Sequence, residues 1–423
     1  MTALRVCCLW MLTSSFLWAD EAVLERRAVE PKLLHLRSGA EREWSEFPQT
    51  PAGQRLEVTF AAKQNAVEQT LFVRQQDVKQ TWNVVLNEQR LGALTIDEND
   101  MVITFAIPAN GLVDGNNTLR IEPPTSKAAS NKTPADDIRV GQVEIRNRPV
   151  RESLREATLV LDVVDADSKQ ALPCRITVLD AHGAMQTLGA ESNDHLAVRP
   201  GMAFSSAGHA TIGVPAGRYT IFAGRGFEYS LARVEVTVAA GETAKSSLTI
   251  RREVPTEGYV ACDTHVHTLT HSGHGDATIE ERMITLAGEG IELPIATDHN
   301  KHIDYEQVAA RLNVRRYFTP VMGSEVTRLR RTTVRGVEAR LRAVDRRSVE
   351  VRRGNGVAGG SSLSVIGHVA AIGREPKDHP TGNALGSRRL SRVPASLARE
   401  PDCPSQTVSL RLSVRLLFVA SCR

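Results

Sequence analysis

The stretch CDTHVHTLTHSGHGDATIEE, residues 262–281, places four histidines and two aspartates in the fifteen positions from Cys262 to Asp276, in a chain with twelve histidines among 423 residues. Imidazoles and carboxylates at this density are the ligand types that hold divalent transition ions. His265 and His267 stand two apart, so in an extended strand both side chains leave the same face and can reach one ion. An isolated His-x-His pair is a weak signal. Further candidates follow in order, however: Asp276 at the start of a helix pattern, His299 directly after the apolar run of ELPIATDHN, and Glu325 at the end of FTPVMGSE.

The elements that must position these residues read as alternating strands and helices. GYVACDTHVH alternates in the manner of a strand. DATIEERMITLAGEG carries a capping box, Thr278 with Glu281 three residues on, then Ile279, Met283 and Leu286 on one face and the stop signals Gly288 and Gly290. ELPIATDHN contains a short continuous apolar run, which suits a strand covered on both faces. A second helix is expected near residues 305–313, before the strand FTPVMGSE. Repeating βα units imply a parallel sheet, open or closed into a barrel. Three successive strands then end in candidate ligands at one rim, where α/β barrels place their active sites.

With these residues in view, DTHVHT, the Asp of GHGD, ATDHN and GSE resemble the first motifs of the polymerase-and-histidinol-phosphatase (PHP) family of metal-dependent hydrolases. The longer stretch GHGDATIEERMITLAGEGIELPIATDHN is closest to the secreted branch of that family named CehA/McbA-like metallohydrolases. The resemblance covers residues 258–327. It implies a distorted (β/α)7 barrel that holds two or three divalent ions, zinc, manganese or iron, with His265, His267, Asp276, His299 and Glu325 as metal ligands. A carboxylate such as Glu325 bridging two cations would help lower the pKa of a bound water, giving a hydroxide that attacks a phosphoester, ester or carbamate. Asp298, His271 and His274 are the candidates for catalytic support. Asp263 and Asp298 stand beside ligands and read as groups that orient imidazoles. His271, His274 and His302 are either substrate contacts or spectators.

Upstream, residues 53–148 hold short β-rich runs separated by turn signals such as Pro108-Ala109-Asn110-Gly111, the pattern of an antiparallel sandwich. WNVVLNEQRLG, GLVDGNNTLRI and DDIRVGQVEI resemble the jelly-roll modules of the galactose-binding-like class; Trp82 fits either a sugar platform or the core. Residues 157–252, with LPCRITV and VPAGRYTI, resemble the small carboxypeptidase-regulatory or prealbumin-like sandwich, and carry no evident chemistry. The expected fold class is therefore multidomain: two N-terminal β-sandwiches followed by a truncated α/β (β/α)7-type PHP barrel.

The termini differ from this middle. Arg5, an apolar stretch from Val6 to Leu17 and the small Ala19 have the layout of a secretory signal peptide cleaved near Ala19, which implies a secreted or periplasmic protein without a transmembrane span in the mature chain. Cys174, Cys262, Cys403 and Cys422 have no CxxC spacing, so a zinc ribbon is excluded. Residues 328–423 hold eighteen Arg and one Lys against seven acidic residues, an excess of 12 positive charges, whereas the net charge of the whole chain is +3. This tail departs from the βα rhythm and supplies no histidine until His368. It reads as a disordered basic arm, as a divergent barrel half, or as translation of a shifted reading frame, which the abrupt change in composition favours. Specific nucleic-acid binding is disfavoured, because the tail lacks interleaved aromatics and a basic motif. An incomplete catalytic domain would bind metal weakly and turn over little. The reading from a different class is a non-catalytic periplasmic or cell-surface protein that holds polysaccharide through its sandwiches.

Overall fold

A computed structural model describes residues 25–123, 135–327 and 415–418, and shows a mostly β protein with several sheets. The expected leader and most of the Arg-rich tail lie outside the described residues.

Eight strands form the first unit: β1 (Arg26–Arg37), β2 (Leu56–Ala62), β3 (Gln69–Gln76), β4 (Asn83–Leu86), β5 (Gln89–Ala93), β6 (Met101–Ile107), β7 (Gly115–Glu122) and β8 (Asp137–Arg146). Their order is β1-β8-β3-β6 in one sheet and β2-β7-β4-β5 in the other. That is the order of an eight-stranded jelly roll. Alternation drives the packing: Met101, Ile103 and Ile107 of β6 face Trp82, Val84, Leu86, Leu119 and Ile121 across one core. Trp82 is wholly buried, and its indole N–H donates to Asp136 at 2.8 Å.

The unit begins earlier than the boundary at Gly53 that the sequence pattern suggests. β1 is an edge strand with two register shifts, between Ala28 and Glu30 and between Glu30 and Leu33, which destroy the period-two alternation. Pro31 falls inside the second shift, where no ladder bond is lost. Opposite it, Gly141 has φ +155°, and a side chain there would strike the carbonyl of Lys32.

After the short helix α1 (Val150–Ser153) comes a second sandwich: β9 (Ala157–Asp165), β10 (Cys174–Leu179), β11 (Met185–Gln186), β12 (Leu196–Arg199), β13 (Met202–Ser205), β14 (His209–Val214), β15 (Gly217–Gly224), β16 (Ala232–Val238) and β17 (Thr243–Ile250). The sheet β14-β9-β17 packs over the sheet built on β12, β13, β10, β15 and β16. The two sandwiches are not separate beads. β11 pairs in parallel with β6, Met185 with Met101 and Gln186 with Val102, so one ten-stranded sheet runs through both and covers an otherwise open edge.

The third unit has β18 (Tyr259–Val266), α2 (Leu269–Ser272), α3 (Ile279–Gly288), β19 (Leu293–Ala296), α4 (Glu306–Arg311), β20 (Val321–Met322) and β21 (Arg415–Phe418). Its sheet, ordered β20-β19-β18-β21, is parallel throughout. Among the described residues this sheet stays open, and the closed (β/α)7 barrel implied by the resemblance is not formed; four strands are about half of what closes a barrel around a side-chain core. Arg415–Phe418 is the one part of the tail described, and it extends the sheet beside β18. No helix among the described residues is long and apolar enough to cross a membrane.

Helix α3 is where the third unit meets the second sandwich. Thr278 caps it and Glu281 completes the capping box. Its apolar face, Ile279, Met283, Ile284 and Ala287, shares a core with Ala197 and Phe204 of β12 and β13. At its C-terminal end, the buried Arg225 donates to the carbonyls of Ala287 at 2.5 Å and Pro173 at 3.0 Å, a cation at the negative end of the helix dipole. At its N-terminal end, Arg199 grips both carboxylate oxygens of Glu281 at 3.0 and 3.2 Å. Burial raises the pKa of Glu281, but the bonds from Arg199, Ser192 and the Thr278 N–H outweigh it and hold the carboxyl at about 2. Because that value lies below the ordinary 4.5, the pair stabilises the fold fully above pH 4.5 and loses its contribution as the pH falls towards 2. Arg199→Ala is expected to cost about 1–3 kcal/mol in urea unfolding at pH 7, with the difference from the unsubstituted protein shrinking across that acid window.

Candidate metal centre

β18 carries His265 and ends just before His267. Its register against β19 slips by one residue between Asp263 and Val266, a bulge that re-aims the side chains at the strand's end. Asp263 secures the bulge by accepting the N–H of His265 at 3.1 Å. The two imidazoles converge, with their Nε2 atoms 2.7 Å apart, although the side chain of His265 is 59% exposed and that of His267 only 8%. Glu325 arrives from the strand beyond: its Oε2 stands 3.1 Å from the Nε2 of each.

Two devices hold Glu325 there. His299 and Glu325 form an isolated parallel bridge that continues the pairing of β19 with β20. Asn300 then clamps the loop: its N–H donates to the Glu325 carbonyl at 2.7 Å, its side-chain amide donates to Thr327 Oγ1 at 2.8 Å, and its side-chain oxygen accepts the Thr327 N–H at 3.1 Å. Asn300 has φ +56°, a conformation Asn tolerates better than most residues. An Asn directly after a candidate ligand at a strand end is the signal by which the sequence could have marked it.

A second group forms beside the first. His267, His274 and His299 have ring nitrogens close enough to share an ion, as do His265, His267 and Glu325, each set lying within 4.8 Å. His274 Nε2 is 2.6 Å from His299 Nε2. The loop Gly273-His274-Gly275 brings His274 back to the cluster, with both glycines at positive φ, +74° and +88°. That Gly-His-Gly sequence could have marked His274 as a ligand candidate in advance.

The other sequence candidates lie elsewhere. Asp276 stands outside both groups. Arg199 Nε of the second sandwich, at 3.1 Å, and Arg282 of α3, at 3.3 Å, take its carboxylate, and the side chain is 70% exposed. Asp298 is wholly buried behind the cluster and accepts the Thr268 N–H, the hydroxyls of Thr268 and Ser272, and the Tyr305 hydroxyl, so it faces no open site. Burial raises its pKa, but these four donors outweigh that and keep it below the ordinary carboxylate range. His271 contributes backbone to the α2 turn, and its carbonyl accepts from Lys301 Nζ at 3.0 Å. Neither His271 nor the exposed His302 belongs to a ligand group.

The donor set fits a divalent ion. Four imidazoles and one carboxylate meet with more lone pairs than protons to separate them, and the buried His299 Nδ1 has no hydrogen-bond partner. Donors bound at ~2.0–2.2 Å around one ion stand roughly 3–3.5 Å apart, close to the spacing of the Glu325 pairs. Mixed nitrogen and oxygen ligation selects zinc, manganese or iron over calcium. Burial, and after it the neighbouring His265 and His299, push the His267 pKa below the ordinary 6.5, with Glu325 opposing. The ring therefore stays neutral, and able to ligate, to a lower pH than a free imidazole. Zinc titrations are expected to show binding at pH 7.5 that is lost in acid, because protons compete with the ion for the ligand lone pairs. His274→Ala should weaken binding at least ~10-fold, and His271→Ala should leave it unchanged.

No family model and no curated protein matches the sequence. Among solved structures, the chain is similar to the major pilin subunit BcpA of Bacillus cereus, with 12% identity, 46% of this chain, 64% of that chain and a TM-score of 0.18. It is similar to the CBM36-1 domain of a multidomain xylanase from the hindgut metagenome of Trinervitermes trinervoides, with 12% identity, 30% of this chain, 99% of that one and a TM-score of 0.19. The Faecalibacterium prausnitzii β-glucuronidase follows at 13% identity, 70% and 59% coverage and a TM-score of 0.21. The chain spans less than two thirds of the pilin and of the glucuronidase. At TM-scores this low, the likenesses carry no argument about chemistry.

Proposed function

We propose that the third unit is the metal-binding part of a PHP-type hydrolase, secreted or periplasmic, acting on phosphoester, ester or carbamate bonds. The observation that carries this reading is the convergence of His265, His267, His274, His299 and Glu325 at the C-terminal ends of adjacent parallel strands. A divalent ion held there would supply Lewis acidity and a bound water of near-neutral pKa. The chain's own residues divide the remaining work. Glu325 Oε2 lies within reach of both ligand groups, 3.1 Å from His265 and His267 and 3.5 Å from His299 Nδ1, and so would help to hold an ion in either group. His267 and His299 form the sheltered floor of the centre, while His265 and His274 are exposed and form the side from which a substrate oxygen can approach. His274 takes the position that the sequence pattern gave to Asp276.

The polysaccharide reading has less to stand on, because Trp82 is wholly buried and cannot stack on a sugar ring. Metal content of the purified full chain, measured with and without added zinc or manganese, tests the centre; a screen of nitrophenyl phosphoesters, esters and carbamates tests the chemistry. His267→Ala and Glu325→Gln are expected to lose the metal and any hydrolysis with it, whereas Asp276→Asn keeps both. A chain that remains metal-free after incubation with zinc overturns the reading.

A further inference from the structure

We propose that Ser272 is a positioning residue that relays the charge of Asp298 to His267, fixing that imidazole in the tautomer whose Nε2 lone pair is free to ligate. The inference rests on the metal-centre reading above. It follows from counting protons. An ionised carboxylate only accepts, and Asp298 is surrounded by donors: the Thr268 N–H at 2.9 Å, Thr268 Oγ1 at 2.9 Å, Ser272 Oγ at 2.6 Å and Tyr305 OH at 2.8 Å. The single hydroxyl proton of Ser272 is therefore committed to Asp298. What remains on Ser272 Oγ is acceptor capacity, and two groups face it: the His299 N–H at 3.3 Å and His267 Nδ1 at 3.2 Å. His267 must carry its proton on Nδ1.

The opposite tautomer would set the Nδ1 lone pair against the Ser272 lone pairs, and its Nε2 proton, which Glu325 Oε2 at 3.1 Å can accept, would have to leave before that nitrogen could ligate. The side chain of His267 is 8% exposed, so water has little room to relieve that conflict. Asp298 also grips both ends of the α2 turn, since Thr268 is its N-cap and Ser272 its last residue. The same carboxylate thus sets the tautomer of His267 and the place from which the loop to His274 departs.

The test uses the full chain labelled with 15N-histidine, metal-free and at one fixed pH near 8, with the His267 signal assigned by its loss in His267→Gln. Long-range proton–nitrogen correlations should show His267 protonated on Nδ1. In Ser272→Ala this preference should disappear and zinc affinity should fall ~10–100-fold, as for other groups that orient a ligand. Ser272→Thr, which keeps the hydroxyl, should restore both. A His267 that carries its proton on Nε2 in the unsubstituted protein, or a tautomer unchanged by Ser272→Ala whatever the affinity does, overturns the relay. Failure of the unsubstituted protein to bind zinc would instead sink the metal-centre reading, because the tautomer is read without metal.

Discussion

A carboxylate taken entirely out of water must be given a full set of donors, and the third unit is organised around meeting that demand for Asp298. The four donors come from Thr268, Ser272 and Tyr305, so one buried charge ties the end of β19 to the α2 turn and to the residue that precedes α4. Breaking such an arrangement leaves either an unpaired charge or orphaned hydroxyls, each costing on the order of 1–3 kcal/mol. The imidazoles of the cluster are arranged by what lies behind them. His267 precedes the turn that Asp298 holds, His299 follows Asp298 in sequence, and His274 leaves the far end of the turn.

The second constraint is the docking of the sandwich on α3. Phe204 and Ala197 bury apolar surface against the helix, and polar contacts fix its ends: Arg199 on Glu281 and Asp276 at one end, Arg225 on the Ala287 carbonyl at the other. An isolated ten-residue helix is marginal in water, so its rigidity comes from this contact rather than from propensity. The second sandwich, which holds no cluster of its own, is structurally part of the third unit. Through β11 and β6 the first sandwich is joined to it in turn.

Much of this was legible in the sequence because the signals are local. The Thr278–Glu281 capping box, the turn at Pro108–Gly111, the alternating strands of both sandwiches and the apolar run of β19 depend on neighbours within a few residues, and each lies where the pattern placed it. β1 escaped because its bulges and Pro31 erase the alternation. Asp276 was the reasonable ligand by spacing, and what displaced it was Arg199, 77 residues away in sequence. No local pattern predicts such a partner.

The sequence by itself determined the inventory: which residues can ligate, that His265 and His267 leave one strand end together, and that His299 and Glu325 end the next two strands. Those are matters of side-chain type and of period two. Only the tertiary structure decided the membership of the site. His274 enters because two glycines turn the loop back, Asp276 leaves because two arginines hold it, and Asp298 retires behind the cluster because four donors bury it. Selection among equivalent ligands depends on long-range charge pairing and on how buried hydrogen bonds are satisfied, and both become defined only when the strands are side by side.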